Sequence, residues 1–266
     1  MSAVAKLTPF QKQNASILIQ RCIAKGITNH FSQGAILSIA LKESNLNYAA
    51  SEVSYKTTSN ERIRAIFSKT KVLSEATINS LKANTKAFFD FVYNGIAGNG
   101  ATDGYKFRGR GYNQLTGRGN YRANGKKIGY DLEFNPDLLS TNPTVAADSL
   151  IQYFIDTFET GKRLGKLAQY NSTGINDFKN TNDSLAAFYH ANAGWGKSVE
   201  AIKADPTGGL AKARSTVNDF YTIVSKGISE NKTATGGGLF FLIVMGVAIY
   251  KRKAIAEFIK KQTSKK

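Results

Sequence analysis

Residues 104–121 read GYKFRGRGYNQLTGRGNY: eighteen residues with five glycines, four basic side chains, four aromatics and no acid. An arginine–glycine segment for RNA, a phosphate cradle and the floor of an active site could all be spelled this way. The neutral groups decide among them. Asn113, Gln114, Thr116 and Asn120 are uncharged hydrogen-bonding side chains interleaved with Tyr105, Tyr112 and Tyr121. Amides beside aromatic platforms suit sugar hydroxyls and N-acetyl groups better than phosphates, and glycines let the backbone approach a ligand closely. A dinucleotide GxGxxG is excluded, because after Gly109 and Gly111 the third place is Gln114, and no Walker A pattern is present.

On either side of this stretch the sequence reads as helical. Thr8-Pro9 opens a first helix to about Lys25, with Gly26 as its stop. Ser32 can cap a second, from Gln33 to about Ser44, with Ala35, Ile36, Ile39 and Ala40 on one face. Shorter pieces follow near 60–67, 74–83 and 85–93, and longer ones at 144–158, 182–191 and 209–226. Period-2 alternation is nearly absent, so no extensive sheet is expected.

The 266 residues include 36 Lys and Arg against 19 Asp and Glu, a formal charge of +17. Such an excess draws a protein to polyanions: nucleic acid, anionic lipid or an acidic cell wall. The single cysteine, Cys22, lies in an apolar helical stretch and reads as packing. With only His30 and His190 beside it, no metal or cofactor is expected. The N-terminal MSAVAKLTPFQKQ lacks the apolar core of a secretory signal.

Composition changes after Ser229. Residues 1–229 are expected to form the globular domain, 230–238 a glycine-rich linker, 239–250 a transmembrane segment and 251–266 a basic amphipathic tail. Residues 233–250 carry no charge, and as a helix would span ~27 Å, just enough for a bilayer core. A buried C-terminal helix is the alternative. Lys251-Arg252-Lys253 after the span places the tail on the cytoplasm-like side and the globular domain on the other.

Glu43 is the carboxylate of interest. Ala40, Ile39 and Ile36 precede it by three, four and seven residues, so it continues the apolar stripe of its helix. Desolvation there, and the negative end of the helix dipole, would raise its pKa toward that of a general acid. Lys42 is expected to point off another face. The competing reading is a Glu at a fraying helix end, half in water. Glycoside hydrolysis also needs a second carboxylate. Glu52, nine residues on and beyond the loop NLNYAAS, leads over Glu61, which suits the first turn of the next helix, and over Asp103, which suits an Asp-Gly turn.

The segments FSQGAILSIALKESNL, NGATDGYKFRGRGYNQLTGRGNYRANGKKIG and DLEFNPDLL, followed by a Pro-Thr-Val-Ala-Ala helix, resemble the catalytic domain of glycoside hydrolase family 19. That family comprises chitinases and many phage endolysins, and the similarity runs over roughly residues 30–200. The resemblance implies a mainly α, lysozyme-like domain with a central cleft and inverting hydrolysis of β-1,4 bonds between N-acetylated sugars. It makes Glu43 the general acid, Glu52 the general base and Thr116 a holder of the attacking water. Gln114, Asn120, Tyr121, Tyr112 and Asn192 become substrate contacts. The sequence departs from the family where His usually precedes the acid and Gly-Gly-aromatic follows it; here Lys42 precedes, and Asn45-Leu46 replace the glycines. The late Arg of the family has no clear counterpart. Arg108 and Arg110 read as braces for loop carboxylates and carbonyls, and Trp195 as a core anchor or a sugar platform.

The charge and the tail turn the expectation toward peptidoglycan and a membrane-anchored bacteriophage lysin used in entry or lysis. A chitinase, a lytic transglycosylase, a dead wall-binding scaffold and a nucleic-acid module are the alternatives. The last would show DNA affinity that falls steeply with salt.

Overall fold

The computed structural model describes residues 7–192, 198–204 and 209–226. The expected linker 230–238, membrane span 239–250 and tail 251–266 lie outside the described residues, as does Trp195. Among the described residues no helix is long and apolar enough to cross a membrane. The chain divides into two compact units, Met1–Thr222 and Ile223–Lys266; of the second, only helix up to Lys226 is described.

α1 (Pro9–Ala24) starts with a capping box: Thr8 Oγ1 accepts from the Gln11 amide at 3.2 Å, and Gln11 accepts from the Thr8 amide at 2.9 Å. Gly26, at φ +81°, follows its C-cap. α2 (His30–Ser44) is capped one turn earlier than the sequence suggested. Asn29, not Ser32, receives the first-turn amide, and the Ser32 hydroxyl turns away to the Ile175 carbonyl. Every residue from Ser32 to Leu41 is buried, so α2 is a central helix enclosed on all sides rather than an amphipathic one. α3 (Asn60–Ile66), α4 (Glu75–Ala83) and α5 (Thr85–Tyr93) stand where the sequence placed them, each with a Ser or Asn side chain capping its N-terminus. Glu61 occupies the first turn of α3.

α6 (Arg118–Ile128) was not expected, since its sequence RGNYRANGKKI holds residues of poor helix propensity. Tertiary burial overrides that propensity: Tyr121, Asn124, Gly125 and Ile128 recur at one helical face and are buried. α7 (Leu138–Thr141) leads into α8 (Pro143–Arg163), capped by Asn142 and opened by a proline. α9 (Thr181–Asn192), α10 (Val199–Ala204) and α11 (Gly209–Lys226) follow.

α9 packs along α2, and α8 lies against α1, α6 and α9. The α1–α8 contact carries a two-pronged ion pair, Arg21 Nε and Nη2 to the Asp148 carboxylate at 2.7 and 2.8 Å, with Asp148 almost wholly buried. Cys22 is buried beside it on α1, which raises the thiol pKa to about 12. Phe31 of α2 stacks on Tyr221 with ring centroids 4.4 Å apart.

Two further apolar clusters matter for the site. Ile63, Phe67, Ile78, Phe88, Phe89 and Val92 form one beneath α3–α5, with Tyr55, Tyr93 and Tyr105 packed on it. Phe107, Leu115, Tyr121, Ile128, Leu132, Leu139 and Val145 form the other, beneath the glycine-rich stretch. The loop that carries Glu52 passes from α2 to α3, and residues 109–111 run alongside it. Among the described residues, strand pairing is limited to two isolated bridges, Ser51 with Arg110 and Arg110 with Leu115.

Candidate active site

The two bridges make a small antiparallel ribbon that holds the loop after α2 against the glycine-rich stretch. The Glu52 amide donates to the Gly109 carbonyl at 2.9 Å, and the Gly111 amide to the Ala50 carbonyl at 2.9 Å. Gly111, at φ +77°, begins the reversal that returns the chain to Leu115, a backbone conformation that disfavours other residues there. Gln114 closes the same reversal at φ +49°, an uncommon conformation for a side chain of its size. Its amide nitrogen is tied to the Gly111 and Ala50 carbonyls at 2.9 and 3.2 Å, so its Oε1 is left as the group it can offer.

This ribbon fixes Glu52. Tyr55 and Tyr93 donate their hydroxyls to Oε1 at 3.0 and 2.7 Å, and the Gly109 amide donates to Oε2 at 2.9 Å. Arg108 Nε bonds the Glu52 carbonyl at 2.8 Å, while its guanidinium lies 4.3 Å from the Tyr105 ring centroid. Burial, and after it the Glu52 charge, push both Tyr55 and Tyr93 well above the ordinary tyrosine range. The phenols therefore stay protonated, and donors, through the neutral range. The expected bracing role of the arginines is what the structure shows: Arg110 reaches the carbonyls of Lys106 and Arg108 at 2.8 and 3.3 Å and the Asp137 carboxylate at 2.7 Å. Asp103 is structural as well, accepting from the Gly100 amide at 2.8 Å and from Arg118 at 2.6 Å.

Glu43 sits in the last turn of α2, but not in the apolar surroundings the stripe implied. Its side chain is 29% exposed and is paired with Lys42, which was expected to point elsewhere. The reason is the helix end: Lys42 lies 5.1 Å from the centroid of the Tyr189 ring of α9, and from there its ammonium folds over to the neighbouring carboxylate. Burial works against the charged Lys42, yet the Glu43 carboxylate and then the Tyr189 phenol hold its pKa above the usual lysine value. Tyr153 of α8 stands close enough that the Glu43 charge adds to the effect of burial in raising its pKa. The end of α2 is thus a polar cluster of Lys42, Glu43, Tyr153 and Tyr189.

Asn45 and Leu46 follow, and both have φ +55°. These are the positions where the resembled family has two glycines, and the left-handed backbone explains that choice. Here the strained pair is pinned from α1: Gln11 donates to the Asn45 carbonyl at 3.0 Å and Asn14 to the Leu46 carbonyl at 2.7 Å, while the Leu46 side chain is fully buried.

The remaining expected contacts divide. Gln114, Thr116 and Asn120 lie together at the ribbon and the start of α6. The Thr116 hydroxyl donates to the Gln114 carbonyl at 2.9 Å, and Asn120 donates to the Thr116 carbonyl at 2.8 Å. Tyr112 and Tyr121 are a correction. Both rings are 0% exposed, and the Tyr121 hydroxyl is spent on the Arg108 carbonyl at 2.7 Å. They are core supports of the ribbon, not platforms for a sugar, because apolar burial outweighs the surface role their spacing suggested. Asn192 ends α9, and its side chain lies outside the described residues. Among the described residues, two open depressions of the surface lie beside Glu133 and Asp137, and neither is lined by Glu43 or Glu52. Tyr55 and Tyr93 are the functional candidates that sequence reading missed. Their signal was two tyrosines, one in the loop before α3 and one at the end of α5, on a cluster otherwise rich in phenylalanine.

Residues 41–164 match the family of class I chitinases, which is glycoside hydrolase family 19. An endochitinase of Pisum sativum is 50% identical over 52 residues, 20% of this chain and 16% of its own length. An acidic 27 kDa endochitinase of Solanum lycopersicum is 46% identical over 52 residues, covering 20% of this chain and 21% of its own. Chitinase 8 of Oryza sativa subsp. japonica is 45% identical over 49 residues, 18% and 19% of the two chains. The aligned part thus spans about a fifth, or less, of the curated relatives it matches.

Proposed function

From a chain that carries a glycoside hydrolase family 19 catalytic domain, we propose hydrolysis of β-1,4 bonds between N-acetylated amino sugars by single displacement. The observation that carries this reading is Glu52, held by three donors on a ribbon that also presents Gln114 and Thr116. Glu52 takes a proton from a water on one face of the sugar, and Glu43 gives one to the departing glycosidic oxygen. The other hydrogen of that water goes to Gln114 Oε1 or to Thr116, whose own proton is engaged with the Gln114 carbonyl. As the polymer binds, the Lys42–Glu43 pair has to open and Glu43 to take up a proton from solvent, because a carboxylate held by an ammonium has none to give. General acid–base assistance of this kind is worth roughly 10²–10⁴-fold for each transfer.

Peptidoglycan is the polymer favoured by the charge. A neutral homopolymer gives no reason for +17, whereas walls with acidic stem peptides and phosphates do. We take the apolar run at 239–250 as a membrane anchor, the catalytic domain as lying on the non-cytoplasmic side, and the whole as a bacteriophage lysin of entry or lysis. The endochitinase names of the matched relatives favour a second reading, chitin itself. The test compares Glu43→Gln and Glu52→Gln with the parent on purified sacculi and on chitin oligomers. Both substitutions are expected to abolish cleavage, and full activity in either removes that residue from the mechanism. Turnover of oligomers but not sacculi selects the chitinase. Reducing ends on the released fragments, read by mass spectrometry, mark hydrolysis, and anhydro ends mark lytic transfer.

A further inference from the structure

We propose that Tyr55 and Tyr93 are positioning residues for Glu52: by saturating Oε1 from two sides they make Oε2 the oxygen through which the base acts. The inference rests on reading Glu52 as the base. A carboxylate oxygen offers two in-plane lone pairs. Oε1 accepts from Tyr55 at 3.0 Å and from Tyr93 at 2.7 Å, so both of its positions are filled. Among the described residues, Oε2 accepts only the Gly109 amide, at 2.9 Å, which leaves one of its positions open.

The surroundings show where that position leads. A Cβ built on Gly109 would lie 3.1 Å from Glu52 Oε2 and 3.0 Å from Gln114 Oε1. The two oxygens therefore flank the same bare stretch of backbone. A water there can give one hydrogen to each, with Gln114 orienting it and Glu52 removing the proton. The ordering is rigid because the phenols belong to an aromatic cluster. Tyr93 stacks on Phe89 at 5.9 Å, and Tyr55 meets Phe67 edge-on at 5.1 Å. The charged groups near this arrangement are Arg108, on the Glu52 carbonyl, and Arg62, whose charge offsets part of the effect of burial on Tyr55.

Tyr55→Phe and Tyr93→Phe keep the rings and remove one donor each. With a chitin hexasaccharide as substrate, each single variant is expected to lose about 10-fold in kcat, and the double variant more, with KM within about twofold. Wild-type kcat in both single variants, with Glu52→Gln inactive, overturns the inference and leaves the base reading intact. An active Glu52→Gln overturns that reading instead. Crystal structures of the two single variants then decide the inference without any substrate: a Glu52 carboxylate that has turned from its present place supports the clamp, and one that has not moved refutes it. Thermal melts identify any variant that has lost its fold, and the other single variant is judged in its place.

Discussion

Gly109→Ala puts a methyl group where Glu52 Oε2 and Gln114 Oε1 come closest to the backbone. The added carbon would stand 3.1 and 3.0 Å from the two oxygens, against about 3.5 Å for an unstrained contact. Each tip must retreat by a few tenths of an ångström. Long side chains ordinarily do this at no cost, but these two are tied. Glu52 is held by two phenols and an amide, and Gln114 by two carbonyls. Crowding of this kind costs about 1–3 kcal/mol, less about 0.4–1 kcal/mol regained by stiffening the unfolded chain. The melting temperature should fall by only a few degrees, since about 1 kcal/mol is worth 2–4 °C at this size. Activity should suffer far more, because catalytic groups tolerate about 0.5 Å of displacement and a 1 Å error costs ~10²-fold. Initial rates on chitin oligomers should therefore show kcat reduced about 10-fold with KM nearly unchanged. Wild-type kcat at an unaltered melting temperature would refute the reasoning, for then neither oxygen would matter at that spot.

Three other outcomes follow from the packing. Arg21→Met leaves the buried Asp148 carboxylate uncompensated and should cost about 3–5 kcal/mol in urea unfolding, whereas Arg21→Met with Asp148→Leu should recover much of it. Gly104→Ala drives a methyl to 2.0 Å from the Phe89 carbonyl oxygen of α5, a backbone atom that cannot step aside, so the variant should be severely destabilised in a thermal melt. Tyr121, Tyr170 and Cys22 are each raised to about 12, chiefly by burial. A raised pKa means that the folded state keeps its protons where the unfolded chain loses them. The stability these groups confer is intact below pH ~10 for the tyrosines and ~8.5 for the thiol, and drains away as pH climbs toward 12. Melting temperatures measured from pH 8 to 12 should fall steadily, and a flat profile would contradict the burial of these groups.

Much of this was legible because it is local. Thr8-Pro9 and Asn142-Pro143 announce helix starts by cap chemistry that depends on no distant contact. The arginines of the glycine-rich stretch and Glu61 also behave as their neighbours in sequence imply. What stayed hidden depends on tertiary contacts. α6 is a helix because Tyr121, Asn124, Gly125 and Ile128 have something to pack on, against the propensity of its residues. Ser32 loses its capping role to Asn29, since a partner at Ile175 claims its hydroxyl. For Glu43, periodicity located the helix face but not α9, whose Tyr189 steers Lys42 onto the carboxylate. Tyr112 and Tyr121 look from the sequence like a sugar-binding pair. Only the fold reveals that the ribbon needs them underneath.

The pinning of residues 45 and 46 from α1 sets a limit on how far this chain can be trimmed. The stretch that matches the family begins at residue 41, yet Gln11 and Asn14, which hold the bend between the two carboxylates, lie some thirty residues upstream. An excised piece cut at the family's borders would keep Glu43 and Glu52 and lose the clasp on the bend between them. Trimming or fusing this protein should therefore spare everything from Thr8 onward, since the first helix holds that bend in place.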